Sequence, residues 1–237
     1  MFNELSPNEI QTLIDGELGI NVVRFMEIVE SMGNNNIFVD IGVETGKSSK
    51  ILLNKAIQKN NKVFGIDPIP DMGQDILDNP NYKYIKGDSV KTGAEWKNDK
   101  VDVIFVDSIH AKEQVLSELY YWWDILNENG WVIFHDTAWA GYIHKPNHPC
   151  AGKKTGNAAL GYDFYGGVAW DTPDYAVKQF FRLNELVAYD DEYIHVEHGT
   201  KDLGMTFVQK KKHKDFKSNI LNWEEIFKNR DYLLRSF

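Results

Sequence analysis

The 237-residue chain is poor in cysteine, in long apolar runs and in positive charge. Its single cysteine, Cys150, excludes an intramolecular disulfide. The fold needs no such staple, because a chain this long buries roughly 70–75% of the surface its unfolded form exposes. No apolar run approaches the ~20 residues of a membrane-spanning helix, and no secretory h-region is visible. The expectation is a soluble, cytoplasmic protein with no membrane partner. The 26 Lys and Arg against 35 Asp and Glu leave a net charge of −9, which argues against a general nucleic-acid binder with its basic face. The one basic run, Lys210 to Lys214, follows an expected strand and reads as its solvated end. Internal repeats and low-complexity tracts are also absent.

The residues present, 43% hydrophobic and 13% aromatic, suit one large α/β domain or one domain with a small cap. Ser6-Pro7-Asn8-Glu9 is a capping box with proline at the first helical position. Ile20 to Met32 reads as a second helix with Val22, Val23, Met26 and Val29 on one face, ended by Gly33. Residues 1–34 are therefore expected to form a helical cap, placed over a site or between two chains of a homo-oligomer, and 35–237 the main domain. Strands and helices then alternate, the pattern of a parallel sheet with covering helices. Strands are expected at Ile37–Ile41, Lys62–Ile66, Tyr82–Lys86, Val101–Val106 and Trp131–Phe134, and helices at Ser48–Asn60 and Lys112–Asn127. Val115, Leu119, Trp122 and Leu126 line one face of the latter helix, and Asn129-Gly130 stops it. A helix over Pro173–Leu186, a hairpin of Tyr193–Glu197 with Gly204–Gln209, and a helix over Trp223–Leu234 follow. The expected fold is a Rossmann-like, doubly wound α/β sheet, mostly parallel, with an antiparallel C-terminal hairpin strand and helices on both faces. Thr137 to Trp170 breaks the alternation and reads as an insertion facing the substrate.

Five successive strands end in aspartate: Asp40, Asp67, Asp88, Asp107 and Asp136. In open α/β sheets, ligands bind at the carboxyl ends of the strands. After the first strand comes Gly42-Val43-Glu44-Thr45-Gly46-Lys47-Ser48, a glycine turn running into a helix, where backbone N–H groups meet a ligand. As a phosphate loop it is one residue short, and it lacks the G-x-G-x-x-G of dinucleotide enzymes. A nucleotide-binding ATPase or kinase and a dinucleotide oxidoreductase are the alternatives these departures oppose. As D-x-G-x-x-x-G it fits the first motif of a methyltransferase.

Asp40 to Asp67-Pro68, Gly87-Asp88-Ser89, Phe105-Val106-Asp107-Ser108-Ile109-His110 and Gly130-Trp131-Val132-Ile133-Phe134-His135-Asp136 together resemble a class I S-adenosylmethionine-dependent methyltransferase over roughly residues 35–136. They are most similar to the family-24 methyltransferases and relatives acting on sugars and natural products. The resemblance implies that Asp40, Gly42, Glu44, Thr45, Gly46, Ser48, Asp67, Asp88, Ser89 and Asp107 line the S-adenosylmethionine site. Asp40 would orient the ammonium group, directly or through water. Gly42 and Gly46 would admit the methionine part without a Cβ in the way. Asp67 would accept from ribose hydroxyls, and Asp88 and Ser89 would lie along the adenine edge. Lys47 is expected to be an exposed first-turn side chain without a catalytic role. Several relatives hold Mg²⁺ with an acid ending strand four and an acidic pair ending strand five. Here those positions are Asp107, His135 and Asp136, and the histidine weakens the case for Mg²⁺ in favour of a softer ion such as Mn²⁺, or none.

His110, three residues past Asp107, is the candidate general base, since an unperturbed imidazole titrates at about 6.5. His135 is an alternative base, and His144 and His148 receive no role. The implied reaction is methyl transfer to a hydroxyl of a small molecule, with Asp107, His110 and Asp136 as the catalytic set. N-methylation of a small amine and a non-catalytic cofactor-binding module stay open.

Overall fold

The computed structural model describes residues 4–16, 18–69, 71–138, 173–201 and 203–234. The N-terminal helix α1 (Pro7–Asp15) starts at the expected capping box: Glu9 N–H donates to Ser6 Oγ at 3.3 Å and Ser6 N–H to Glu9 Oε2 at 2.8 Å. In α2 (Val22–Ser31) the buried residues are Val22, Phe25, Ile28 and Val29, while Val23 is 41% exposed. The expected face is thus rotated, because Phe25 stacks on Phe105 at 4.9 Å and sets the helix's orientation.

The alternating region supplies β1 (Ile37–Ile41), α3 (Lys47–Leu53), α4 (Ala56–Lys59), β2 (Lys62–Asp67), α5 (Gln74–Leu77), β3 (Tyr82–Lys86), α6 (Ser89–Ala94), β4 (Val101–Val106), α7 (Lys112–Ile125) and β5 (Leu126–His135). The single helix expected over Ser48–Asn60 is broken at Lys55, whose φ of 60° cannot continue a right-handed helix. The helix α7 ends at Ile125, and Leu126 already begins β5. The stop is made from the far side of the sheet. Lys210, 1% exposed, donates from Nζ to the carbonyls of Trp123 and Leu126 at 2.8 Å each. It is a buried cap rather than a solvated strand end. Asn129-Gly130 is a kink within β5, where a Cβ on Gly130 would lie 2.9 Å from Asp102 O.

After α8 (Pro173–Phe181), which ends before the left-handed Arg182, come the short unforeseen β6 (Tyr189–Asp190), then β7 (Ile194–Gly199), β8 (Met205–Lys210) and α9 (Trp223–Leu234). The described strands form one sheet in the order β3-β2-β1-β4-β5-β8-β7-β6. The first five pair in parallel, and β8 inserts antiparallel between β5 and β7. The winding reverses between β1 and β4, which opens a crevice at their carboxyl ends. Both faces are buried. Val39, Ile41 and Val106 pack under α7 and α8, while Phe38 and Phe105 pack under α2 and α3. Of the expected substrate-facing insertion only Thr137 and Ala138 lie among the described residues; His144, His148 and Cys150 fall outside them. Among the described residues no helix is long and apolar enough to cross a membrane.

Candidate active site

The carboxyl ends of β1 to β5 open into one cavity of about 930 Å³. Its walls include Gly42, Glu44, Thr45, Ser48, Asp67, Asp88, Ser89, Asp107, His110, His135 and Asp136, so the structure brings together most of the expected site. Two expected members are not on its wall. Asp40 is fully buried behind Ser48, and its Oδ2 accepts from Ser48 Oγ at 2.9 Å and Ser49 Oγ at 2.5 Å. Burial pushes its carboxyl up to about 7, with the two serines only partly opposing. Asp40 therefore stands one side chain back from the cavity, behind Ser48. Gly46 likewise faces protein: a Cβ there would meet Ile76 Cδ1 at 2.4 Å.

Gly42, on the cavity wall, also meets a packing requirement of the sheet. At φ +81° a Cβ would stand 2.0 Å from the carbonyl oxygen of Asp107. The missing side chain lets β1 and β4 meet at the crevice floor, where Asp107 N–H donates to Ile41 O at 2.8 Å. The loop is braced by Asp67, which accepts from Glu44 N–H at 3.1 Å and from Ile69 N–H at 2.7 Å. Glu44 is held at φ 44° there. Lys47 is half-buried on the cavity wall rather than exposed.

A compact ionic cluster sits where β4 and β5 end. His110 Nε2 lies 2.8 Å from Asp136 Oδ2 and 3.2 Å from Asp107 Oδ1. His135 Nδ1 lies 3.3 Å from both carboxylates. Asp136 takes a left-handed φ of 56° that turns its carboxylate inward. Burial opposes charge on His110, but Asp136 and Asp107 outweigh it and push the imidazole up to about 10. Burial likewise opposes charge on His135, and the same two acids push it up to about 11. Against the cost of burial, the two imidazoles hold Asp107 and Asp136 below the usual carboxylate range. An imidazole titrating at about 6.5 is therefore not what the fold presents, and His110 is one half of an ion pair. Ligand atoms of Asp107, His110 and Asp136 lie within 4.8 Å of one another, so His110 takes the place expected for His135 in a metal-binding set.

Residues 39–137 match the profile of the family-24 group, described as a methyltransferase domain. That match runs from β1 to the end of β5 and covers less than half of the chain. No curated protein matches the chain. Among solved structures, the chain is similar to a candidate caffeoyl-CoA O-methyltransferase from Staphylococcus aureus, with 14% identity and a TM-score of 0.56 over 87% of this chain and 93% of the other. It is similar to MycE of the mycinamycin biosynthetic pathway, crystallised with Mg, S-adenosylhomocysteine and mycinamycin VI, at 13% identity and a TM-score of 0.56 over 87% of this chain. That alignment spans only 54% of MycE, about half its length. TomG from Streptomyces achromogenes, an O-methyltransferase of tomaymycin synthesis crystallised with S-adenosylmethionine, shares 12% identity over 88% of this chain and 92% of its own, with a TM-score of 0.53. These likenesses are of fold.

Several cavity residues carry no local sequence signal. Leu18 enters from the connection between α1 and α2, and Leu203 from the hairpin turn between β7 and β8. Gln114, in the first turn of α7, also lines the wall. Behind it stand Glu118 and Arg230, polar side chains buried among apolar helices. Helical spacing from Gln114 to Glu118 was the one available clue; Arg230 had none.

Proposed function

We propose that this protein methylates a hydroxyl of a small molecule such as a sugar or natural product, using S-adenosylmethionine. The carrying observation is the Asp107–His110–Asp136 cluster at the mouths of β4 and β5, on the same cavity as Asp67 and Asp88. The cofactor supplies an electrophilic methyl group on a sulfonium. Asp67, at the end of β2, accepts hydrogen bonds from its ribose, and Asp88 and Ser89, after β3, face its base. With that cofactor bound, an acceptor oxygen held at the cluster would bond to the methyl carbon in line as the carbon–sulfur electron pair returned to sulfur. The proton released by the hydroxyl would pass to a carboxylate oxygen of Asp107 or Asp136 and on to solvent, since His110 already carries its own. Most of the rate comes from holding the two reactants in line. Leu18 and Leu203 offer an apolar surface beside the cluster for the acceptor's body. Residues 1–34 act as a cap, contributing Leu18 to the wall.

The cluster also fits a divalent cation. Asp136 Oδ1 is buried with His135 Nδ1 at 3.3 Å but makes no hydrogen bond among the described residues, and two carboxylates converge with His110, which would give up a proton to ligate. Mixed oxygen and nitrogen donors suit Mn²⁺ better than Mg²⁺. Asp107, His110 and Asp136 would hold such a cation, which would supply Lewis acidity at the acceptor hydroxyl. The acidic net charge and small-molecule cavity support a cytoplasmic enzyme without nucleic-acid or membrane partners.

The deciding experiment follows radiolabelled methyl from S-adenosylmethionine onto panels of hydroxyl and amine acceptors, with calorimetric titration of S-adenosylhomocysteine. Label on oxygen supports the reading. Label on nitrogen alone, or no cofactor binding, overturns it.

A further inference from the structure

Arg230, on the last helix, reaches the cavity wall from 142 residues away in sequence and is 6% exposed. Its Nε donates to Gln114 Oε1 at 2.8 Å, its Nη2 pairs with Asp88 Oδ2, and its Nη1 lies 3.5 Å from Asp231 Oδ1. Gln114 Nε2 donates onward to Ser89 Oγ at 3.1 Å and Glu118 Oε1 at 2.7 Å, and Ser89 Oγ donates to Glu118 Oε1 at 2.6 Å. Trp122 Nε1 donates to Ser89 O at 3.0 Å. Asp88 Oδ1 accepts from Lys91 N–H at 2.8 Å. Apart from the Arg230–Asp231 contact, each of these bonds involves Asp88, Ser89 or Gln114, which form one stretch of the wall.

A guanidinium is a rigid planar fork, so one group held by a carboxylate and an amide fixes the two relative to each other. Asp88 sits at the junction of β3 and α6, and Gln114 on α7. Ser89 also ties α6 to Glu118 of α7, but Arg230 is the group that joins Asp88 itself to Gln114. With both carboxylate oxygens anchored, Asp88 can only accept hydrogen bonds from the cavity side. An exocyclic amino group donates into such a wall. A carbonyl in its place sets acceptor against acceptor.

We propose that Arg230 is a positioning residue for base recognition: by clamping Asp88 and Gln114 it makes the cofactor cavity select a 6-aminopurine over a 6-oxopurine. This rests on the reading that the cavity binds S-adenosylmethionine. The test is calorimetric affinity for S-adenosylhomocysteine against its deaminated inosine counterpart. The wild type should prefer the adenine form by roughly tenfold or more, the worth of one hydrogen bond to a charged group. In Arg230→Met the preference should fall to within about threefold, and Arg230→Lys, which keeps the charge but not the fork, should fall most of the way. Asp88→Asn, which can still cap α6, should lose the preference with Arg230 intact. In that background Arg230→Met should change the ratio no further, a coupling that loss of fold stability would not produce. A wild-type preference surviving in Arg230→Met or Asp88→Asn overturns the proposal, whatever happens to Tm. Equal wild-type binding of both ligands overturns it while leaving the cofactor reading intact. Failure of the wild type to bind S-adenosylhomocysteine sinks the cofactor reading itself.

Discussion

Asp40→Asn changes one atom in a sealed site and should reverse the ordinary expectation that a charged strand-end acid is stabilising. In the unfolded chain the carboxyl titrates at 3.8, whereas in the fold it keeps its proton to about 7. Between those values the native state binds more protons than the unfolded state, so this group's contribution to stability falls as pH rises, and the penalty is complete above about 7. The gap between 3.8 and about 7 corresponds to on the order of 4 kcal/mol. Asparagine keeps the shape and can still accept from Ser48 and Ser49, but it has no charge to form. Its amide group takes the place of Oδ1, which makes no hydrogen bond among the described residues, so little is lost at acid pH. Urea unfolding of the ligand-free, chelator-treated protein at about pH 4.5 and about pH 8 measures the effect. The variant should match the wild type at the lower pH and exceed it at the higher by on the order of 3 kcal/mol. A difference that does not move with pH would refute the burial argument, because Asp40 would then ionise as freely in the fold as in the unfolded chain.

Asp67→Ala removes both the brace on the glycine loop and the proposed ribose acceptor, so affinity for S-adenosylhomocysteine should drop roughly 10- to 100-fold by calorimetry. Unchanged affinity would move the ribose elsewhere. His110→Ala and Asp136→Ala should each lower turnover with an identified acceptor at least about 100-fold while S-adenosylhomocysteine affinity stays within about threefold. Full turnover in either would remove the cluster from the chemistry. Gly42→Ala forces a Cβ to 2.0 Å from Asp107 O at a left-handed φ and should cost about 3 kcal/mol or more in urea unfolding. Mn²⁺ at about 100 times its dissociation constant should stabilise the wild type by about 2.7 kcal/mol, seen as a higher Tm. Asp107→Asn combined with Asp136→Asn should abolish that rise; its persistence would place the ion at another site.

The order of elements was legible because local signals agreed with the global fold: a capping box, alternating strands and helices, and five strands closing on aspartate. The same regularity located the cavity, since a parallel sheet places every strand's carboxyl end on one rim. Boundaries drifted where a distant partner decided them. Lys210 ends α7 across 87 residues of sequence, and Phe105 turns the face of α2. Composition cannot tell a glycine that admits a ligand from one that admits a neighbouring strand; only the packing of Asp107 against Gly42 does that. Nor can spacing show that Asp40 lies behind a serine, that His110 is paired by two acids, or that an arginine from the last helix braces the wall at Asp88. Residue types and strand order determine which groups can meet at the rim. Which of them face the cavity, and in what charge state, depends on burial and neighbours that exist only once the chain has folded.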